Sequence, residues 1–307
     1  MTNVVCPSCR GPLGRDADGA LTCRTCSVTY PVRGGVDILL PPAEWTAAEE
    51  QSRRDGWHME RYNSARRSSP LVRIYYDWWV RRLLSCVPRD SVGMILELMC
   101  GGAEICRRLP PRFTEALALD ANAWVLERAA KDLLSSGERR VMLVCGTVLH
   151  LPIPDRSVPV VIVQGGLHHV RRDLGSVLEE VRRVLEPGGR LIASEPADDN
   201  PLIHAIRRWQ YRRSEMLGRD PDEGGFSRQE LERALAGAGM RLESYQRFGF
   251  VAYPLLCNMD VLPLLSGISA PWVGRALVFL DEMLERMPLI RGLAFANIFT
   301  ATPVASS

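Results

Sequence analysis

The sequence predicts an α/β protein, a mostly parallel sheet with helices on both faces, behind a small four-cysteine module at the N-terminus. Two observations predict it. From residue 92 onward, short apolar runs alternate with stretches of helical periodicity, the pattern of repeated strand–helix–strand units. Before residue 42, Cys6 and Cys9 form one Cys-x-x-Cys pair and Cys23 and Cys26 a second, in a segment too short to bury a core of its own. Three segments follow: a metal module at 1–42, a helical linker and lid at 43–90, and an α/β domain at 91–307 with an apolar insert at about 250–285.

Composition excludes little. The chain has 307 residues, 46% of them hydrophobic and 24% charged, with a formal charge of +2. Every basic residue except Lys131 is an arginine. That skew fits phosphate recognition or an arginine-favouring base composition, and balancing acids favour the second. The N-terminus lacks the apolar core of a signal peptide. The most apolar stretch, Val261 to Leu280, is broken by Pro263, Pro271 and Arg275, so no membrane span is expected. Nine cysteines without a secretory signal point to a reducing, cytoplasmic setting, where paired cysteines bind metal more often than they form disulfides.

In the module, each Cys-x-x-Cys turn places two thiolates on one side of an ion, and two such turns complete a tetrahedral Zn2+ site. Gly11 and Gly14 are expected to supply the tight backbone after the first turn. The segments CPSCRGPL and CRTCSVTYPVRGGVDILL resemble the Trm112-like zinc ribbons, with Ser27 where many of them carry glycine. The resemblance implies either a clamp for substrate or partner, or a structural cap. Beyond Pro41-Pro42, apolar and aromatic residues at Leu71, Ile74, Tyr75, Trp78 and Trp79 predict a helix over 71–84, opened by Pro70 and closed by Pro88. Its stripe reads as core, with Tyr75 and Tyr76 as candidates for a pocket wall.

The α/β domain opens with a strand at Gly93–Leu98 and a glycine-containing turn, Met99-Cys100-Gly101-Gly102-Ala103. Such a turn lets the backbone approach a ligand at the strand's C-terminal edge. The next strand, Ala116 to Asp120, ends in an acid suited to ribose hydroxyls. Glu97-Leu98-Met99-Cys100-Gly101-Gly102-Ala103 resembles the E/DxGxGxG first motif of class I S-adenosylmethionine-dependent methyltransferases, which are Rossmann-like. Leu151-Pro152-Ile153-Pro154-Asp155, Leu167-His168-His169-Val170 and the helix–turn–strand from Leu178 through Pro187-Gly188-Gly189 to Leu191 resemble later motifs of that family, in family order. Ser227 and Glu230 form a capping box for a further helix.

The resemblance implies S-adenosyl-L-methionine as cofactor and S-adenosylhomocysteine as product. Glu97 then holds the cofactor's amino end. Met99, Cys100, Gly101 and Gly102 line its methionine and ribose, and Asp120 takes the ribose diol. Ala121, Thr147, Val148 and Gln164 complete the set. Two departures stand out: Gly102-Ala103 at the second glycine, and Thr147 where the family carries an aspartate for the adenine amino group. A hydroxyl accepts the same hydrogen bond without charge assistance.

His168 and His169 follow the fourth strand, where a near-neutral base suits removal of a hydroxyl proton. Glu195 stands at the acid position after the fifth. These three are the candidate catalytic residues, with a structural role for the histidines as the alternative; His58, His150 and His204 lack such context. The N/DPPY motif of many amino-group methyltransferases is absent, which points to an oxygen or carbon acceptor. The leading expectation is methylation of a small apolar or aromatic molecule. The alternatives are guanine methylation in ribosomal RNA, with nucleic acid as partner, and a cofactor-binding protein that is non-methylating or catalyses another reaction such as cyclisation. The insert near 250–285, with Asn258 and Asp260 as its polar groups, is expected to cover an apolar substrate or to form a homodimer contact. The basic run Arg207, Arg208, Arg212 and Arg213, with Trp209 and Tyr211, reads as a solvated helix face.

Overall fold

The structure, a computed structural model, describes residues 4–46, 50, 69–90, 93–206, 224–257, 265 and 268–304. The basic run at 207–213, Asn258, Asp260 and His58 lie outside the described residues. Among the described residues, twelve strands form two sheets. The first holds β1 (Leu13–Arg15), β2 (Leu21–Cys23) and β3 (Thr29–Tyr30) in antiparallel order.

The second sheet has nine strands. Its centre is β6 (Gly93–Leu98), β7 (Phe113–Asp120), β8 (Val141–Cys145), β9 (Val158–Gln164) and β10 (Leu185–Pro196), all parallel. One side closes with β12 (Ala296–Pro303), antiparallel to both β10 and β11 (Met240–Phe248). On the other side a hairpin of β4 (Val32–Arg33) and β5 (Val36–Ile38) joins the sheet, β5 pairing parallel to β8 through Asp37–Val144 and Ile38–Cys145. The spatial order is β11-β12-β10-β9-β6-β7-β8-β5-β4. The N-terminal segment is therefore hydrogen-bonded into the main sheet and covers the β8 edge, which would otherwise expose unpaired backbone groups.

The central strands are rich in Val, Leu, Ile and Ala because both faces are covered. One face packs on α1 (Pro70–Ser85) and α2 (Ala123–Ser136). Pro70 stands in the first turn of α1 behind the N-cap Ser69, and Leu71, Val72, Tyr75, Tyr76, Trp78, Trp79, Val80 and Leu83 are buried. Fully burying an aliphatic or aromatic side chain of this kind contributes about 1.5–3 kcal/mol, so the aromatic stripe is core, as expected. The α2 helix begins at Asn122, whose side chain accepts the Val125 N–H, and ends at Gly137 with φ +74°. The other face carries α3 (Leu174–Val184) and α4 (Arg228–Gly237). The Ser227–Glu230 capping box is present. A fifth helix, α5 (Pro271–Glu285), lies outside α1.

Proline shapes the start of two strands. Residue 159 is a proline inside β9, yet the β9–β10 register breaks between Leu185 and Arg190, and pairing with β6 starts at Val160. The ladder therefore requires no N–H from residue 159. The last strand starts at Ala296, preceded by a 3-10 turn at Pro288–Leu293 with proline in its first turn. No helix among the described residues is long and apolar enough to cross a membrane.

Candidate active site

The β6 and β9 strands are parallel, but successive strands are added outward from β6 in one direction and from β9 in the other, and at this switch point their C-terminal ends form the crevice where open parallel sheets take ligands. The loop after β6 has φ values of +52° at Met99, +49° at Gly101 and +56° at Ala103. These are the three glycine positions of the E/DxGxGxG pattern, and only one is a glycine. Holding an L-residue there costs roughly 1–2 kcal/mol. The sequence reading placed the departure at Gly102-Ala103; the structure adds Met99. Counting alternate residues from Glu97 was the signal that could have found it. The Met99 side chain lies against Gly166, where an added Cβ would fall 2.8 Å from Met99 Sδ.

Two acids hold this loop. Asp120 Oδ2 accepts the Gly101 N–H at 2.8 Å and Oδ1 accepts the Asn122 N–H at 2.9 Å. Burial pushes the Asp120 carboxyl up, opposed by those N–H groups and by the nearby His169. Glu97, 2% exposed, accepts the Cys106 N–H at 2.9 Å and the Ile105 N–H at 3.4 Å. Of the remaining expected cofactor residues, Thr147 accepts the Leu149 N–H through its hydroxyl, while the Val148 and Cys100 side chains are buried in the core. Ala121 is exposed, and Gln164 Nε2 is buried without a partner. That orphaned donor in the crevice, with the two acids beside the glycine loop, fits a polar ligand with hydroxyl and amino groups.

The histidines stand in the turn after β9. Glu195 is 1% exposed and gathers that turn around itself. Its carboxylate accepts the N–H groups of Gly166 at 3.0 Å, Leu167 at 2.8 Å and His168 at 3.3 Å, and Oε2 lies 2.8 Å from His168 Nδ1. The His168 and His169 rings stack with centroids 4.1 Å apart. The structure thus brings His168, His169, Glu195 and Asp120 to one end of the sheet. His150 lies elsewhere, beside the N-terminal module, and His204 pairs with Asp198.

The four N-terminal thiols converge. Their sulfurs all lie within 4.8 Å of one another, with Cys6–Cys26 at 3.6 Å and Cys9–Cys23 at 3.5 Å. A tetrahedron with Zn–S bonds of about 2.3 Å separates its sulfurs by roughly 3.8 Å, so the donor set fits zinc. The Thr25 and Cys26 N–H groups point at Cys23 Sγ, and the Tyr30 hydroxyl lies 3.1 Å from Cys6 Sγ. The residues after each pair, Arg10 and Ser27, take φ values of +60° and +61°. Neither Gly11 nor Gly14 is left-handed, against expectation. Gly11 serves by close approach instead, since a Cβ there would fall 2.3 Å from Thr25 Oγ1.

Burial raises the Glu97 carboxyl from 4.5 to about 7, only partly offset by the N–H groups of Cys106 and Ile105. A group raised on folding stabilises fully below its unfolded value and loses that contribution as pH rises through the folded one. That interval corresponds to roughly 3 kcal/mol. Ligand-free protein is therefore expected to lose about that much stability between pH 4.5 and 7 through Glu97. Denaturant unfolding of Glu97→Gln across this range should show a decline smaller by about the same amount; parallel curves would contradict it.

Comparison with known proteins agrees with this geometry. A methyltransferase domain model matches residues 96–193, and the model of Trm112p-like protein matches residues 4–35. A demethylmenaquinone methyltransferase of Lactiplantibacillus plantarum is 26% identical over 193 residues, covering 57% of this chain and 81% of its own. Two solved structures share the fold. A complex between the Haloferax volcanii Trm112 methyltransferase activator and a methyltransferase superposes with a TM-score of 0.54 at 17% identity, covering 82% of this chain and 96% of that one. The geranyl diphosphate C-methyltransferase of Streptomyces coelicolor A3(2) gives 0.54 at 16%, covering 74% and 80%. The chain carries a Rossmann-like methyltransferase domain with a Trm112-like module at its N-terminus.

Proposed function

We propose that the chain transfers a methyl group from S-adenosyl-L-methionine to an oxygen or carbon of a small apolar or aromatic molecule, with His168 as general base. The observation that carries this is the buried His168–Glu195 pair at the C-terminal end of the sheet. With Nδ1–H donated to Glu195, Nε2 carries the basic lone pair of the neutral ring. Glu195 then fixes the ring and favours the imidazolium that forms when Nε2 takes the acceptor's proton. His169, stacked on His168 and close to Asp120, walls the same space.

The cofactor supplies an electrophilic methyl group on a positively charged sulfur. Asp120 would hold its ribose hydroxyls and Glu97 its ammonium, which favours the charged carboxylate that burial disfavours. Met99, Cys100, Gly101 and Gly102 would line its methionine end. Ala121, Thr147 and Val148 would flank its base, and Gln164 Nε2 would gain a partner. Zinc would bind Cys6, Cys9, Cys23 and Cys26. The N-terminal module would supply within one chain what the Haloferax complex assembles from two. The relatives named for demethylmenaquinone and geranyl diphosphate support a small-molecule acceptor.

The test is methyl transfer from labelled cofactor to a panel of phenols, quinols and activated carbon acids, with cofactor binding followed by calorimetry. His168→Ala should lower kcat by roughly 10²–10⁴ while leaving cofactor affinity within a few-fold, and Asp120→Ala should abolish binding. No cofactor binding to folded, zinc-loaded protein would overturn the reading. Steeply salt-dependent RNA binding with methylation of RNA would replace it with the nucleic-acid alternative.

A further inference from the structure

The outer face of α5 does not resemble the surface of an ordinary solvated helix. Trp272, Phe279, Leu280, Met283 and Met287 recur at helical spacing and are all exposed, Trp272 by 69% and Phe279 by 63%. Leu289, just beyond, is 98% exposed. A contiguous apolar stripe of this kind on a folded protein marks an interaction site. The charges are sorted as well. Between residues 268 and 293 each exposed charge is an arginine: Arg275, Arg286 and Arg291. The three acids turn inward. Asp281 accepts the Val251 and Ala252 N–H groups, Glu282 accepts from Trp78 Nε1 at 2.8 Å, and Glu285 is paired with Arg82.

We infer that this face lies on an anionic lipid surface. An apolar stripe led by Trp and Phe, with only cations among its exposed charges, is the composition of helices that rest in the headgroup layer of a bilayer. A second copy of the chain fits less well, because two-fold pairing of this face with itself sets arginine against arginine. The location gives the contact a use. The α5 helix packs on α1, which reaches the active-site end of β10 through Trp79 Nε1 and Ser194 Oγ at 2.9 Å. Seating α5 on a bilayer places that end of the sheet beside a reservoir of apolar molecules. The contact itself does not depend on the reaction proposed above.

The test is co-sedimentation of the full zinc-loaded chain with vesicles of phosphatidylcholine alone or mixed with phosphatidylglycerol. Binding to the anionic vesicles should be at least roughly tenfold stronger and should weaken with salt. Trp272→Glu combined with Phe279→Glu should reduce it by roughly tenfold or more with an unchanged melting temperature, as expected for exposed positions. Changing Arg275, Arg286 and Arg291 to glutamine should flatten the salt dependence while leaving residual apolar binding. Absence of binding to anionic vesicles overturns the inference, as does binding indifferent to the Trp272/Phe279 pair. So does a dimer by light scattering that the same pair dissolves while vesicles remain unbound.

Discussion

Glu195→Ala should abolish turnover and cost the fold roughly 3 kcal/mol or more, because each buried donor left without a partner costs about 1–3 kcal/mol. The stability loss follows from what surrounds the carboxylate. Gly166, Leu167 and His168 donate their N–H groups to it, and a methyl group leaves those donors unpaired in a site that water enters poorly. A turn released from β10 no longer presents His168, so activity and stability fall together. Glu195→Gln separates the two effects. It keeps the shape and one acceptor oxygen, so chemical denaturation should show a smaller loss than for alanine. Its amide cannot stabilise an imidazolium as a carboxylate does, so kcat should still fall by roughly 10²–10⁴. Full activity in the glutamine variant would remove Glu195 from the chemistry and leave it as a turn anchor.

Chelation of zinc should unfold far more than the N-terminal module. Structural zinc in small cysteine sites contributes an apparent binding energy of about 10 kcal/mol or more near neutral pH. Here the module's interior is continuous with the main core. Cys6, Leu21, Cys23 and Tyr30 pack in the same cluster as Leu39, Val144, Val148 and Leu151. The Val5 N–H is donated to the Pro152 carbonyl at 2.9 Å, and Arg15 forms a bidentate pair with the buried Asp37 of β5. Loss of the metal thus unseats β4 and β5 and uncovers the β8 edge. Calorimetric scans with and without chelator, and of Cys23→Ser, should show the main transition lowered or replaced by aggregation. An unchanged main transition with only a small low-temperature event lost would show that the module and the sheet fold independently.

The sequence made the sheet legible because its parallel strands announce themselves as short apolar runs and its turns carry glycine, proline and capping residues at fixed places. Glu97, Asp120, the two histidines and Glu195 could be singled out because each stands next to a strand end, where motif and topology agree. The β5–β8 pairing was not legible, since nothing in a short Val-Asp-Ile run names a partner so far along the chain. The motif positions flagged Met99, Ala103 and Ser27, but their left-handed backbone, and that of Arg10, was not legible. A left-handed conformation is read from glycine, and these positions reach it without one, held by hydrogen bonds that only the folded chain supplies. The inward turn of Asp281, Glu282 and Glu285 depends on α1 and the turn at 251–252, so the charge sorting on α5 appears only in three dimensions.

The pairing of β5 with β8 also sets an order on synthesis. The four cysteines and the β4–β5 hairpin leave the ribosome before the rest of the main sheet, and with zinc present they have what they need to close. Their sheet partner, Val144 and Cys145, arrives only after α1, β6, β7 and α2 have been made. Domains fold as units during translation, and non-local pairing is slow. A nascent chain shorter than this therefore holds a finished metal knot and an open strand edge. Until β8 is made, the β4–β5 hairpin has no place in the main sheet.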